Sequence, residues 1–246
     1  FLIVAAVGLV LWFPVRQVRR DLRLRDGFLV VAVFWICLGV AGATPFLLSD
    51  VPELSFTDAV FEAVSGFTTT GATVIVGLDD LPKSILYYRQ QIQWLGGMGV
   101  IVLAVALLPV LGIGGMSLYM AETPGPMKDQ KLTPRITQTA KALWVIYALL
   151  TAACALGYYL AGMSGFDAVG HSFSTLSTGG FSTHDASLAY FDNAAIDAIA
   201  TLFMFLGGAN FALHFSAMRG RDPRAYWRDT EFKAYFWLVA TIVVGT

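Results

Sequence analysis

The sequence is short of charge. Only 13% of its 246 residues are Asp, Glu, Lys or Arg, 57% are hydrophobic, and the mean hydropathy is +0.66. A soluble domain is about 25% charged, so a soluble fold is excluded and lipid is the solvent this composition implies. Cysteine is nearly absent. Cys37 and Cys154 each lie inside an apolar run, which excludes a disulfide framework and a CxxC site and leaves two small packing residues. Histidine is as sparse: His171, His184 and His214 stand at no HExxH-type spacing, which argues against a metal site or a catalytic histidine. The run Gly112-Ile113-Gly114-Gly115 follows an apolar helix rather than a strand, so it is no nucleotide loop. No signal peptide with a cleavage site is visible. The chain opens at Phe1 inside one apolar run and closes inside another, and reads as a fragment without its natural ends.

What is abundant is long apolar stretches. Phe28–Leu48, Ile85–Leu111, Ile136–Leu160 and Asn193–Met218 are each long enough to cross, at ~20 residues per bilayer. Phe1–Phe13 is the tail of another span and Phe232–Thr246 the start of one more. Between them lie Ser55–Phe67 and Phe166–Leu176, too short to cross and expected as re-entrant or interfacial helices.

Basic residues cluster three times: Arg16, Arg19, Arg20, Arg23 and Arg25; Lys128, Lys131, Arg135 and Lys141; Arg219, Arg221, Arg224, Arg228 and Lys233. These are 14 of the 16 Lys and Arg, and the positive-inside rule puts all three clusters in the cytoplasm. Two long spans separate consecutive clusters, so the parity closes and both short segments fall on the outer side. Asp50, Glu53, Asp58, Glu62, Asp79, Asp80, Asp167, Asp185, Asp192 and Asp197 fall there too, opposed only by Lys83 and Arg89. They form either an acidic vestibule that concentrates cations or ordinary solvated loop carboxylates. Glu62, inside the first short helix, either braces a neighbouring loop or faces the outer water.

The chain repeats itself. TDAVFEAVSGFTTTGA aligns without gaps on FDAVGHSFSTLSTGGF at an offset of 109 residues. The expected organisation is the end of a helical segment and a basic cytoplasmic loop at 1–27, a first unit at 28–114, a cytoplasmic linker at 115–135, a second unit at 136–218, and a cytoplasmic linker plus the start of a third unit at 219–246. Each unit reads span, short helix, loop, span. The loops Thr68–Thr73 and Ser177–Ser182 are poor helix formers at membrane depth, where bare backbone must line protein or a water-filled cavity. Glycine allows the dihedral angles that turn carbonyls to one side, and rings of such carbonyls replace the hydration shell of a potassium ion. Magnesium or calcium would call for carboxylates, which the loops lack. The C-terminal end of each short helix, if aimed at the cavity, adds roughly half a negative charge. Gly96-Gly97-Met98-Gly99 and Gly207-Gly208 are small enough for close helix contact, or for bending.

FEAVSGFTTTGAT, WLGGMGVIVLAVALLPVLGIGGM, AETPGPMKD, LTPRITQTAKALWVIY and HSFSTLSTGGFSTHDASLAYFDN resemble the TrkH potassium-uptake proteins of the TrkH/KtrB superfamily, in order over nearly the whole chain. The resemblance implies an all-α integral membrane protein of the bacterial inner membrane. Its repeated span–pore helix–filter loop–span units would form a pseudo-fourfold cation channel, of which this chain holds two complete units, and residues 1–13 would end an extra N-terminal helical hairpin. It implies a first filter strand at Thr69, Thr70 and Gly71 and a second at Thr178, Gly179 and Gly180, with K+ as the transported ion. It also implies a homodimer, a cytosolic TrkA-type nucleotide-binding regulatory subunit, contact with membrane lipids, no nucleic acid and no enzyme activity. Two strands do not close a fourfold ring, so the chain by itself is not expected to conduct. Three other readings stay open: an ion-coupled (H+ or Na+) symporter on the same scaffold, a membrane enzyme using His171 or His184, and a subunit without a pore.

Overall fold

The computed structural model describes residues 2–16, 24–102, 132–220 and 222–245. Among the described residues there is helix and no strand. The order is α1 (Leu2–Trp12), α2 (Leu24–Gly42), the single turn α3 (Thr44–Leu47), α4 (Phe56–Phe67), α5 (Lys83–Val102), α6 (Leu132–Leu160), α7 (Gly165–Leu176), α8 (Ala194–Gly208), α9 (Phe211–Gly220), α10 (Arg224–Arg228) and α11 (Thr230–Gly245). The end of the expected Ile85–Leu111 span, the glycine run at 112–115 and the motif AETPGPMKD lie outside the described residues, as do Arg19, Arg20, Arg23, Lys128, Lys131 and Arg221.

The two short helices form for the same local reason. Ser55 caps α4: its Oγ accepts the Asp58 N–H at 3.2 Å and donates to Asp58 Oδ2 at 2.7 Å. Ser164 caps α7 identically, with Asp167 at 3.1 and 2.6 Å. Such a cap contributes about 1 kcal/mol, and an acidic group in the first turn suits the helix dipole. Each helix has 12 residues, hence a length of about 18 Å at 1.5 Å per residue, little more than half of a hydrocarbon core about 30 Å thick.

Long helices wrap both. Ala43, Phe46, Ala59, Ala63, Phe67 and Ile92 pack α4 against the α2–α3 corner and α5. Met98, Leu143, Tyr147, Cys154, Tyr158, Leu176 and Ile196 pack α7 against α5, α6 and α8. Helix α5 belongs to both cores, so it is the wall shared by the two units. Small residues set the closeness. A Cβ on Gly96 would overlap the Phe67 carbonyl, and one on Gly207 would lie 2.7 Å from the Leu176 carbonyl oxygen. Outward faces stay apolar: Val33, Phe34 and Ile36 on α2, Leu149 and Leu156 on α6, and Leu238 and Ile242 on α11 are all exposed. Such faces suit lipid or further helices. Cys154 is buried packing as expected, whereas Cys37 lies on one of these outward faces.

One expected span is not straight. Asn193–Met218 is broken at Ala209-Asn210, and its halves are bent by 94°. The break frees carbonyls at the end of α8, and side chains take them up. His214 Nε2 donates to Leu206 O at 2.9 Å and Tyr235 Oη to Phe205 O at 3.2 Å. Tyr226 Oη then bonds His214 Nδ1 at 2.8 Å, and Asn210 Oδ1 caps α9 by accepting the Ala212 N–H at 3.0 Å. Gly207-Gly208 sits one residue before the break, the bending position that the sequence offered as one of two uses for those glycines.

Candidate functional site

Each short helix ends in a turn of matched geometry. Thr68 N–H reaches Val64 O, Thr69 N–H reaches Gly66 O and Thr70 N–H reaches Ser65 O, at 2.8, 3.0 and 2.9 Å. The same three bonds recur 109 residues on, from Ser177, Thr178 and Gly179 to Phe173, Thr175 and Ser174, at 3.2, 3.1 and 2.9 Å. The backbone signs repeat as well. Thr69 has φ 55° and Thr178 φ 53°, Gly71 has φ 75° and Gly180 φ 88°. A β-branched residue at positive φ is a genuine outlier, costing about 1–3 kcal/mol, and it occurs here twice at equivalent places. Thr70 and Gly179, between the positive residues, keep negative φ. Alternating handedness of this kind brings successive carbonyls to one side of a strand instead of alternating them.

The six candidate residues fall into one place. The first loop meets the second at Gly71, where an added Cβ would overlap the Gly179 carbonyl oxygen. Thr70, Thr178 and Gly180 are exposed, Thr69 and Gly71 half-buried and Gly179 buried. The second loop also borders a cavity of about 140 Å³, lined by His171, Ser174, Thr178, Gly179, Gly180 and Met204 among others.

Behind the first loop lies a buried ion pair. Arg89 Nε donates to Glu62 Oε1 at 2.8 Å, and both side chains are 0–1% exposed. Glu62 also accepts from Thr73 Oγ1 at 2.9 and 3.0 Å and from the Val74 N–H at 3.2 Å. Arg89 extends further, to Thr73 Oγ1 at 3.0 Å and to Ser182 O of the second loop at 3.1 Å, with its guanidinium 4.4 Å from the Phe181 ring centre. Glu62 therefore braces the loop and does not face the outer water. Arg89, expected only as one of two basic residues on the outer side, is buried and joins the two units. In the second unit the place of Glu62 is taken by His171, whose Nε2 pairs with Ser182 Oγ at 2.9 Å, and Ser182 is the counterpart of Thr73.

A third set of contacts ties the outer ends of the loops together. Asp185 accepts the Gly77 and Leu78 N–H groups at 3.1 and 3.0 Å. His184 Nδ1 bonds Asp79, and its ring stacks on Tyr190 at 3.5 Å. The hydrogen bond from His184 holds the Asp79 carboxyl below its ordinary 3.8. Of the ten outer carboxylates, Asp58, Glu62, Asp79, Asp167 and Asp185 thus have partners within the protein, while Asp50, Glu53, Asp80, Asp192 and Asp197 are exposed. The second group is solvated, as both readings of these carboxylates require. Among the described residues no group of three or more His, Cys, Asp or Glu is arranged to hold a metal ion.

Sequence reasoning missed Gln93 and gave Arg89 and Thr73, named only as an outer charge and as the end of the first loop, no part in bracing it. A signal existed for Arg89: a lone arginine inside an apolar helical run must find a partner, and Glu62 was the available carboxylate. Nothing local marked Gln93.

Bundled long helices, two half-length helices and outward apolar faces define an all-α integral membrane protein. The whole chain, residues 1–246, matches the TrkH family, described as cation transport proteins. It is 57% identical over 244 residues to the Trk system potassium uptake protein TrkH of Salmonella typhimurium, covering 99% of this chain and 50% of that protein. It is 59% identical over 240 residues to TrkH of Vibrio parahaemolyticus, covering 97% and 50%. The crystal structure of the potassium transporter TrkH from Vibrio parahaemolyticus superposes with a TM-score of 0.84 at 55% identity, over 97% of this chain and 48% of that one. The chain belongs to the TrkH family, a family of transporters and not of enzymes. It spans about half the length of these relatives.

Proposed function

We propose that the chain is the N-terminal half of a potassium-uptake protein of the bacterial inner membrane, and that its two loops are two of four strands of a channel-like selectivity filter. The observation that carries this reading is the pair of matched loops. Each places a strained threonine and a glycine at positive φ, and Gly71 lies against the carbonyl of Gly179. Carbonyl and hydroxyl oxygens without carboxylates suit a dehydrated monovalent cation. The C-terminal ends of α4 and α7 lead straight into the loops, which favours positive charge there. The similar proteins named above are potassium transporters of Trk systems.

On this reading Thr69, Thr70, Gly71, Thr178, Gly179 and Gly180 contact K+, which is the transported ion and not a cofactor. The domain boundaries are those given by the sequence: units at 28–114 and 136–218, with basic linkers facing the cytoplasm. Arg16, Lys141, Arg224, Arg228 and Lys233 are members of that basic face whose side chains are described, and it would meet anionic lipid or a TrkA-type regulatory subunit. The working form would be a homodimer.

The test uses the full-length protein. Gly71→Ala and Gly180→Ala force a Cβ onto left-handed backbone, at a cost of about 1–2 kcal/mol each, and Gly71→Ala also displaces the Gly179 carbonyl. Each should lower the ratio of K+ to Na+ uptake by about tenfold, the equivalent of 1.4 kcal/mol. Unchanged ratios in both variants overturn the filter. Reversal potentials in proteoliposomes separate the channel from an ion-coupled carrier, since coupling shifts the reversal potential with the gradient of the second ion.

A further inference from the structure

The second loop is held from behind by the first unit, and the holding group is a glutamine. Gln93 on α5 is fully buried. Its Oε1 accepts the Phe181 N–H at 3.1 Å. Its amide occupies the place that a Cβ on Gly179 would take, within overlap distance of Cδ and Nε2. On another side the Gly179 carbonyl oxygen lies against Gly71. Gly179 is therefore sandwiched between the first loop and the Gln93 amide. One residue on, Arg89 from the same helix donates to Ser182 O at 3.1 Å. Helix α5 thus grips two successive backbone groups of the second loop, the N–H of Phe181 and the C=O of Ser182.

Helix α8, the counterpart of α5 in the second unit, carries no equivalent pair of residues. Gly96 and Gly207 meet the equivalent carbonyls Phe67 O and Leu176 O, which registers α8 on α5 at an offset of 111 residues. At that offset Gln93 corresponds to Met204 and Arg89 to Ala200. Met204 cannot replace the hydrogen bond. On its other side the strand borders a cavity of about 140 Å³ at Thr178, Gly179 and Gly180.

We propose that Gln93 is a positioning residue for ion selection: by bonding the Phe181 N–H it fixes the Gly180–Phe181 peptide, and with it the carbonyl of Gly180, while its amide backs the Gly179 Cα. The inference rests on the filter reading above and extends it to a residue that touches no ion. A second observation agrees with a polar back wall. Gln90 Nε2 and Oε1 and Gln93 Nε2, all fully buried, have no hydrogen-bond partner among the described residues. Burying amides without partners is costly, so their retention at this wall argues for a role other than packing. Gln90 lies beside Gly170 and Thr183, the flank of the same loop.

The experiment measures K+ and Na+ uptake by the full-length protein carrying Gln93→Leu, Gln93→Glu or Gln91→Leu, with membrane levels matched. Gln93→Leu keeps the volume and removes the acceptor. It should lower the K+ to Na+ ratio by about fivefold or more, the order expected for one lost buried hydrogen bond, while total cation flux is kept. Gln93→Glu keeps an acceptor for Phe181 N–H and should restore at least half of the lost ratio. Gln91→Leu, on the half-buried side of the helix, should leave the ratio unchanged. If Gln93→Leu lowers K+ and Na+ flux equally, or keeps the wild-type ratio, the proposal is overturned. Gly180→Ala in the same membranes separates the two readings. A changed ratio there with an unchanged one in Gln93→Leu sinks only the role of Gln93, whereas no change in Gln93→Leu, Gly180→Ala or Gly71→Ala sinks the filter itself. Should Gln93→Leu fail to reach the membrane, Gln93→Met provides a second apolar variant with the same expected drop.

Discussion

Neutralising one partner of the Glu62–Arg89 pair is the perturbation on which the scaffold is most exposed. The pair is 2.8 Å apart with side chains 0–1% exposed. Arg89→Met removes its bonds to Glu62, to Thr73 Oγ1 and to Ser182 O. It leaves the Glu62 carboxylate with only Thr73 Oγ1 and the Val74 N–H. An uncompensated buried charge costs about 3–5 kcal/mol. Glu62→Met costs a similar amount, because a guanidinium is then stranded. The double variant strands neither charge, and apolar replacement of a buried pair is often close to neutral. The sum of the singles should therefore exceed the double by about 2 kcal/mol or more, a coupling of the size seen between contacting groups. The assay is thermal stability of the purified full-length protein in detergent, run as a double-mutant cycle, beside K+ uptake in cells. Additive singles, or singles within about 0.5 kcal/mol of wild type as for ordinary surface changes, would refute the account of α5 as the wall that binds both loops.

Other perturbations read different links. Thr178→Gly should remove strain at φ 53° worth about 1–3 kcal/mol, so that the protein gains heat stability while K+ selectivity falls; a loss of stability would contradict the strain argument. Ser164→Ala removes the cap of α7 and should cost about 1 kcal/mol, with Gly165→Ala, which meets open space, as a neutral comparison in the same melting series. Acid should loosen the outer tie between the loops. The folded Asp79 carboxyl lies below its ordinary 3.8 because His184 bonds it. A depressed carboxyl stabilises above the unfolded value and loses that contribution as pH falls through the folded one, so proteolytic nicking near Asp79 should rise only below about pH 4, where an unperturbed Asp protonates. Nicking that begins near pH 6 would place the control elsewhere.

Sequence alone determined the repeat and its local parts. Apolar runs too short to cross placed α4 and α7 at Ser55–Phe67 and Phe166–Leu176, and loss of helix-forming residues at Thr68-Thr69-Thr70 and Ser177-Thr178-Gly179 marked where they stop; the Ser-x-x-Asp caps that start them are equally local in the sequence but were found in the structure. The 109-residue offset marked Gly71 and Gly180 as equivalent before any coordinate. These features are legible because capping, helix length and positive φ depend on a few neighbouring residues. Glu62 and Arg89 were present as two separate charges, 27 residues apart, and membrane topology placed both on the outer side without saying that they touch. Likewise, Asn193–Met218 has the hydropathy of one span, because composition does not register that His214 and Tyr235 will take up the carbonyls freed at Ala209-Asn210. Only the tertiary structure decided which polar groups face each other: Arg89 with Glu62, Gln93 with Phe181, Asp79 with His184. In a medium without water every buried donor needs an acceptor, and that pairing is set by how helices pack across the chain, not by the order of residues along it.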